Sequence, residues 1–465
     1  MKLFKPFKHQ QEGVDLAVEN DFRAGIFFDC GLGKTVTALA VFSILRQQRL
    51  GSRLLVLCPL TLIQNAWADD IPKFTDFSFH SLRERKFKNA DIYLANYEML
   101  RSPKKFDMIK EMLKQDFMIV LDESSKIKNF QSQTTKKVLE LRKLTSYKLC
   151  LSGTPAPNDE TEYWPQMRFI DDSIFPHKIF YTFRNDIFHL ENGWGQQRQG
   201  QFMSKTEARE VFKKGFKYKL STPGQEKLLT MMKPWCIWRK IDECLDMPGK
   251  TIIKRKVVMS KEQTAIYREM KNHLVIELNN EMIAAPIILT KLMKLRQITG
   301  GFCIAPEGTH NIPNAKIDEL KELLEEIGDK QVIIWGNYTH EINVIKFMLG
   351  DKARIINGTV NDTYKNDAIA DFKSGAVKYL IANPQSIAHG VTLTNCHYQI
   401  FYSMSYSYEQ FYQAMGRVYR ISQDNKCFYY VLMCEKSIDE DIYDVVLNKR
   451  DKNEIAIKFL NGREK

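Results

Sequence analysis

Residues 24 to 45 read AGIFFDCGLGKTVTALAVFSIL, and the order of residue types in this stretch decides the fold. AGIFF (24 to 28) is a short apolar run closed by Asp29 and Gly31, which is how a buried strand reads. VTALAVFSIL (36 to 45) is long enough and apolar enough for a packed helix. Between them lies Asp29-Cys30-Gly31-Leu32-Gly33-Lys34-Thr35. Strand, glycine loop and helix in this order form an anion cradle, because glycines let backbone N–H groups turn inward and the helix N-terminus adds partial positive charge. Gly31, Leu32, Gly33, Lys34 and Thr35 are therefore the candidate binding loop for a nucleoside triphosphate such as ATP. Lys34 is placed to reach the β- and γ-phosphates, and the Thr35 hydroxyl to ligate Mg²⁺. The full G-x-x-x-x-G-K-[ST] pattern asks for glycine at position 28, where this chain has Phe28.

Outward from this unit the same rhythm continues. LLVLC (54 to 58), DIYLA (91 to 95), FMIVL (117 to 121) and KLCLS (148 to 152) are further apolar runs separated by helical patterns. They read as buried parallel strands of an α/β sheet. FMIVL runs directly into Asp122-Glu123. Carboxylates leaving the C-terminal end of a parallel strand lie on the sheet edge where ligands bind. Asp122 is thus the candidate partner of Thr35 at Mg²⁺, and Glu123 the candidate group that orients and deprotonates an attacking water.

The second half repeats the pattern in QVIIW (331 to 335), ARIIN (353 to 357), KYLIA (378 to 382), YQIFY (398 to 402) and FYYVL (428 to 432). Residues 160 to 312 interrupt it with an aromatic stretch (169 to 188), a Gly/Gln-rich segment, a lysine cluster (Lys213, Lys214, Lys217, Lys219) and helical patterns over 261 to 297. The predicted organisation is an ATP-binding lobe with a helical protrusion over 1 to 235, a linker and second protrusion over 236 to 312, and a second sheet lobe over 313 to 465. That second lobe carries Gln413-Ala-Met-Gly-Arg417-Val-Tyr-Arg420. Arginines three residues apart on a helix share a face, so Arg417 and Arg420 are candidates to neutralise charge on a γ-phosphate bound by the other lobe.

Composition sets the outer limits. The chain has 465 residues with 68 basic and 56 acidic side chains, a formal charge of +12 that is compatible with a polyanionic partner. Nine scattered cysteines without a Cys-x-x-Cys pair suggest neither a disulfide framework nor a zinc module. Lys5, Lys8 and Glu12 break the apolar run that a signal peptide needs, and no run approaches a membrane span, so an unexported, cytoplasmic protein is expected.

In order along the chain, these motifs resemble the Swi/Snf group of superfamily-two helicase-like ATPases, from about residue 4 to 445. Phe7 to Gly13 resembles the adenine-recognising Q motif, with Gln10 on the base edge. GLGKT resembles motif I, whose family form tolerates an acidic pair where this chain has Phe28 and Asp29. Leu57 to Trp67 and Ala95 to Glu98 resemble motifs Ia and Ib. DESSKIKN (122 to 129) is similar to the Asp-Glu-Ala-His box, with Ser124 and Ser125 in place of Ala and His. LSGTPAPN (151 to 158) is similar to motif III, and Pro234 to Lys240 followed by Leu245 to Lys250 to the group's arginine segment and linker. Asn357-Gly358 with Lys365 and Phe372, Ala388 to Thr394 with Gly390, and QAMGRVYRISQ (413 to 423) with Gln413 resemble motifs IV to VI. Ser405-Tyr-Ser-Tyr408 stands where the group usually has Trp-Asn-Pro.

The resemblance implies an α/β fold of two RecA-like lobes in tandem with helical protrusions between them. It also implies an ATPase acting on double-stranded or forked DNA, of a minimal viral or bacterial type. The Gly-Trp-Gly segment at 193 to 195 is similar to fork-remodelling members. A strand-separating DNA or RNA helicase and an ATP-gated nucleic-acid-binding scaffold are the competing readings, and protein partners are unknown.

Overall fold

β-Branched and aromatic runs with turn residues at both ends form two all-parallel sheets. The computed structural model describes residues 6–49, 52–190, 218–280, 285–387 and 391–447. The Gly-Trp-Gly segment, Lys213, Lys214 and Lys217, His389 and Gly390 lie outside them. The chain divides into two units between Cys244 and Leu245.

The first unit is built on β1 (Arg23–Phe28), β2 (Arg53–Cys58), β3 (Phe79–Ser81), β4 (Ile92–Asn96), β5 (Phe117–Asp122) and β6 (Tyr147–Leu151). A short antiparallel pair follows, β7 (Phe188–Leu190) with β8 (Tyr218–Leu220), and then β9 (Cys236–Arg239). The main sheet has the order β3-β4-β2-β5-β6-β1-β9. Its central strands are buried on both faces, with every residue of β4 and β5 buried, which explains their apolar runs. Burial of each Leu or Val here contributes roughly 1.5–3 kcal/mol of transfer free energy. Two helices matter for the site, α1 (Lys8–Glu19) and α2 (Lys34–Gln48). The aromatic stretch from 169 packs into this unit's core through Phe169, Phe175, Phe183 and Phe188. Phe180 stacks on Phe130 with ring centroids 3.8 Å apart.

The second unit holds β10 (Lys250–Val257), an antiparallel pair of β11 (Phe302–Ala305) and β12 (Gly308–Asn311), then β13 (Val332–Trp335), β14 (Ala353–Ile356), β15 (Tyr379–Ala382), β16 (Tyr398–Phe401) and β17 (Cys427–Cys434). Its sheet runs β10-β17-β16-β13-β15-β14. The chain reverses its direction of travel across the sheet between β13 and β16, the switch point of a doubly wound α/β fold. Helices Lys261–Asn280 and Ala285–Thr299 pack against each other before this sheet begins its regular winding. The tandem RecA-like architecture implied by the motifs is thus present as two parallel α/β sheets.

Each apolar run identified in the sequence is a strand, displaced by at most a residue or two. In the two parallel sheets the strands outside those runs are β3, β9 and β10, each at a sheet edge, and the antiparallel pairs β7-β8 and β11-β12 lie outside them as well. β3 and β10 are partly exposed along their length and do not read as continuous apolar runs, and β9 is only four residues long. β10 carries Lys254, Arg255 and Lys256, yet it pairs with β17 along its whole length, from Lys250 opposite Cys427 to Val257 opposite Cys434. Among the described residues no helix is long and apolar enough to cross a membrane, and all nine cysteines are free.

Candidate nucleotide site

The phosphate loop sits between β1 and α2 and is gripped from α1. Leu32 is fully buried, and its carbonyl accepts hydrogen bonds from His9 Nε2 (3.0 Å) and Gln10 Nε2 (3.1 Å). A carbonyl only accepts, so the His9 proton is on Nε2. Burial pushes the His9 pKa below its ordinary value, which keeps the ring neutral. Because a trans peptide holds C=O and N–H antiparallel, fixing the Leu32 carbonyl toward α1 turns the Gly33 N–H the opposite way. Gln10 Oε1 also accepts from the Phe7 N–H at 3.0 Å. Gly33 has φ +77°, and a Cβ there would lie 2.4 Å from Gln10 Nε2, so both conformation and space demand glycine.

Lys34 opens α2, and its ammonium is 2.9 Å from the Phe28 carbonyl oxygen. Thr35 is half-buried in the same first turn. The loop is closed from the far side as well. The Asp29 N–H donates to the Arg239 carbonyl (3.0 Å) and Asp29 Oδ2 accepts from the Ile241 N–H (3.0 Å). Arg239 in turn pairs with Glu12 of α1 at 2.7 Å. Thus the loop, the Gln10 helix and the arginine segment form one hydrogen-bonded body.

Asp122 ends β5 with its carboxylate buried. Oδ2 accepts from the Trp67 indole N–H (2.8 Å) and Oδ1 from the Glu123 N–H (2.9 Å). Burial raises the Asp122 pKa, opposed by the Lys34 charge and these two donors. Glu123 is buried with φ +51°, a left-handed conformation worth about 1–3 kcal/mol of strain in a non-glycine residue. The Tyr97 hydroxyl braces this turn by donating to the Asp122 carbonyl at 2.9 Å. β6 lies between β5 and β1, so its Ser152-Gly153-Thr154 loop fills the space between the acidic pair and the phosphate loop. A Cβ on Gly153 would lie 3.4 Å from the Phe28 carbonyl oxygen.

In the second unit the structure corrects one expectation. α3 (Tyr408–Met415) carries Gln413, whose amide Nε2 lies 3.4 Å from Glu409 Oε1, but the helix stops before the arginines. Gly416 caps it, and the Val418 and Tyr419 N–H groups both turn back to the Met415 carbonyl. The Arg417 carbonyl is taken by the Leu393 N–H (2.9 Å) instead of by the next helical turn. Arg417 and Arg420 therefore sit on turns after the helix, not on one helical face. Arg417 is buried, and Arg420 is clamped by the Gly416 carbonyl and Thr392 Oγ1, both at 2.7 Å. Residues 392–393 and 417–420 are thereby brought together from segments well apart in sequence.

Comparison with known proteins decides what these two units are. Residues 9–301 match the SNF2-related domain, and residues 315–422 match the helicase conserved C-terminal domain. The chain belongs to the SNF2-related family of helicase-like ATPases. It is similar to a SWI/SNF-related matrix-associated actin-dependent regulator of chromatin subfamily A-like protein 1 homolog from Caenorhabditis elegans, with 25% identity over 96% of this chain and 61% of the relative. A protein named p41 from Acyrthosiphon pisum secondary endosymbiont phage 1 is 24% identical and matches over 99% of this chain and 98% of its own length. The chain spans 61% and 47% of the length of the first two curated relatives it matches. Among solved structures, the Sulfolobus solfataricus SWI2/SNF2 ATPase core in complex with dsDNA aligns at TM-score 0.43 and 22% identity, covering 97% of this chain and 94% of that one.

For an SNF2-related protein the donor types suit Mg²⁺: the Thr35 hydroxyl and the Asp122 carboxylate are hard oxygens, and the Lys34 charge and two hydrogen bonds oppose the rise that burial gives the Asp122 pKa. Trp67 and Tyr97, which hydrogen-bond Asp122 from the segments after β2 and β4, lie in the stretches that resemble motifs Ia and Ib but drew no role at this site from that resemblance, and Gln166 lies outside every motif. An isolated aromatic or amide carries no spacing signal for such a role.

Proposed function

We propose that this SNF2-family protein hydrolyses ATP to move along DNA, double-stranded or forked. The observation that carries the reading is the meeting, on one sheet, of the Lys34 loop and the buried Asp122-Glu123 pair, with the Lys34 charge acting on Asp122. In this reading Gln10 reads the adenine edge, and the N–H groups of residues 31–35 with Lys34 cradle the phosphates. Thr35 and Asp122 would hold Mg²⁺, which when bound would supply positive charge against the phosphates. Glu123 orients a water and accepts its proton.

Arg417 and Arg420 belong to the other unit, and we assign them to the γ-phosphate in the working state. Hydrolysis then requires both units, so that each turnover is coupled to a change in their arrangement. Gln413 and Gly390 accompany the arginines in this role by family resemblance. DNA as partner is supported by family membership and by the +12 charge, and phosphate contact would make binding salt-dependent and largely sequence-independent.

ATP turnover is measured with duplex, forked and single-stranded DNA and with RNA. Duplex or forked DNA is expected to stimulate most. Lys34→Ala and Glu123→Gln are expected to abolish turnover while retaining DNA binding; turnover at the unsubstituted rate in either variant refutes the proposal. Stimulation by single-stranded DNA or RNA alone would instead favour the strand-separating reading.

A further inference from the structure

We propose that Gln166 is a positioning residue of the hydrolytic site, a tie that makes the Glu123 turn and the Ser152–Pro155 loop move as one. The inference rests on ATP hydrolysis as the reaction and names a residue through which that site is held.

Gln166 lies on the helix Tyr163–Ile170 with no exposed surface, among Tyr163, Met167, Phe169 and Ile170, all buried. An apolar side chain would pack there without penalty, whereas an amide is tolerated only when its polar atoms are satisfied. Its amide is engaged on both ends. Oε1 accepts from the Ser124 hydroxyl at 2.6 Å. Nε2 donates to the Pro155 carbonyl at 2.6 Å and to the Glu162 carbonyl at 2.9 Å.

The first of these partners belongs to the turn that carries Glu123, and the second to the Ser152–Pro155 loop beside the phosphate loop. Ser124 directly follows Glu123, whose left-handed backbone needs a fixed neighbour to persist. Pro155 directly follows Thr154, whose N–H is held by Ser152 Oγ at 3.1 Å. Gly153 of the same loop lies beside Phe28 at the end of β1 and Cys30 of the phosphate loop, within ordinary contact of an added Cβ. A displacement of the phosphate loop therefore reaches Glu123 through Gly153, Pro155, Gln166 and Ser124. Ser124 also gains a reason for being serine where the related motif has alanine, since the hydroxyl is the tie's anchor.

The test compares Gln166→Leu, Ser124→Ala and the double variant in steady-state ATP turnover with saturating DNA, beside Lys34→Ala and the unsubstituted protein. Each single change is expected to lower kcat about tenfold with KM for ATP within about twofold, as loss of an interaction that acts in the transition state does. The double variant is expected to be no slower than Gln166→Leu, because both cut one path. Gln166→Glu supplies a second readout. Its neutral carboxyl can still donate to the Pro155 carbonyl and its ionised form cannot, so its kcat relative to the unsubstituted protein should rise as pH falls. Unchanged kcat in folded Ser124→Ala, or multiplied losses in the double variant, overturns the tie while leaving ATP hydrolysis standing. An unsubstituted protein no faster than Lys34→Ala overturns both. Should Gln166→Leu fail to fold, Ser124→Ala and Gln166→Glu decide the matter.

Discussion

Replacing Gly33 by alanine separates two demands that meet at one backbone position. The first is conformational: φ is +77°, a region that costs an L-residue about 1–2 kcal/mol. The second is spatial, because the new Cβ would lie 2.4 Å from Gln10 Nε2. Ordinary contact needs about 1 Å more, so the Gln10 amide must leave its place. Its hydrogen bonds to the Leu32 carbonyl and from the Phe7 N–H are then lost, at roughly 0.5–1.5 kcal/mol each. The sum is about 2–5 kcal/mol for Gly33→Ala, against about 1–3 kcal/mol for Gln10→Ala, which loses the same two bonds without strain. In the double variant the clash is gone and the bonds are already lost, so it should be no less stable than Gly33→Ala alone. Hydrogen exchange of the α1 and α2 amides reads these local free energies, and nucleotide affinity should follow the same order. Additive losses in the double variant would show that Gln10 and Gly33 do not share this contact and would refute the reasoning.

Two further outcomes follow from buried charge. Trp67→Phe keeps an aromatic ring but removes the donor to Asp122 Oδ2, a charge-assisted bond worth about 1.5–3 kcal/mol. The Asp122 pKa, already raised by burial, should rise further and carry the acid limb of kcat/KM to higher pH; an unmoved limb would refute this. Glu341 in the second unit is fully buried, and burial pushes its pKa up to about 7 against the Ser403 hydroxyl bond, the Lys316 charge, the Tyr338 N–H and the Arg296 charge. The folded state therefore binds a proton that the unfolded state releases between the ordinary glutamate range and pH about 7. Stability should be greatest below that window and fall as pH rises through it, by up to about 3 kcal/mol. Glu341→Gln should flatten this slope, and a urea midpoint profile with the same slope in both proteins would count against it.

How much of this was legible in sequence depends on what each residue answers to. Buried parallel strands announce themselves, because both faces must be apolar, and FMIVL and LLVLC were readable for that reason. Asp122 and Glu123 were readable because they stand where such a strand ends. Lys34 and Thr35 were readable because a glycine loop before a helix has few other uses. Edge strands such as β10 were not, since lysines are acceptable on a solvated strand and pairing with β17 supplies the order. The helix expected through Arg417 failed at Gly416, where tertiary bonds from Leu393 and Thr392 replace helical ones.

The order of runs and motifs along the chain by itself determined the α/β class, the two sheets and the glycine loop between β1 and α2, and it pointed to the family. These depend on local rules: periodicity, turn residues and the few side chains able to face a phosphate. Only the tertiary structure decided which groups hold the site in shape. Trp67 on Asp122, His9 and Gln10 on the Leu32 carbonyl, and Gln166 between Ser124 and Pro155 are partnerships between segments remote in sequence. A buried amide or indole can satisfy its hydrogen bonds with any neighbour that folding brings within reach, so its identity alone does not name the partner.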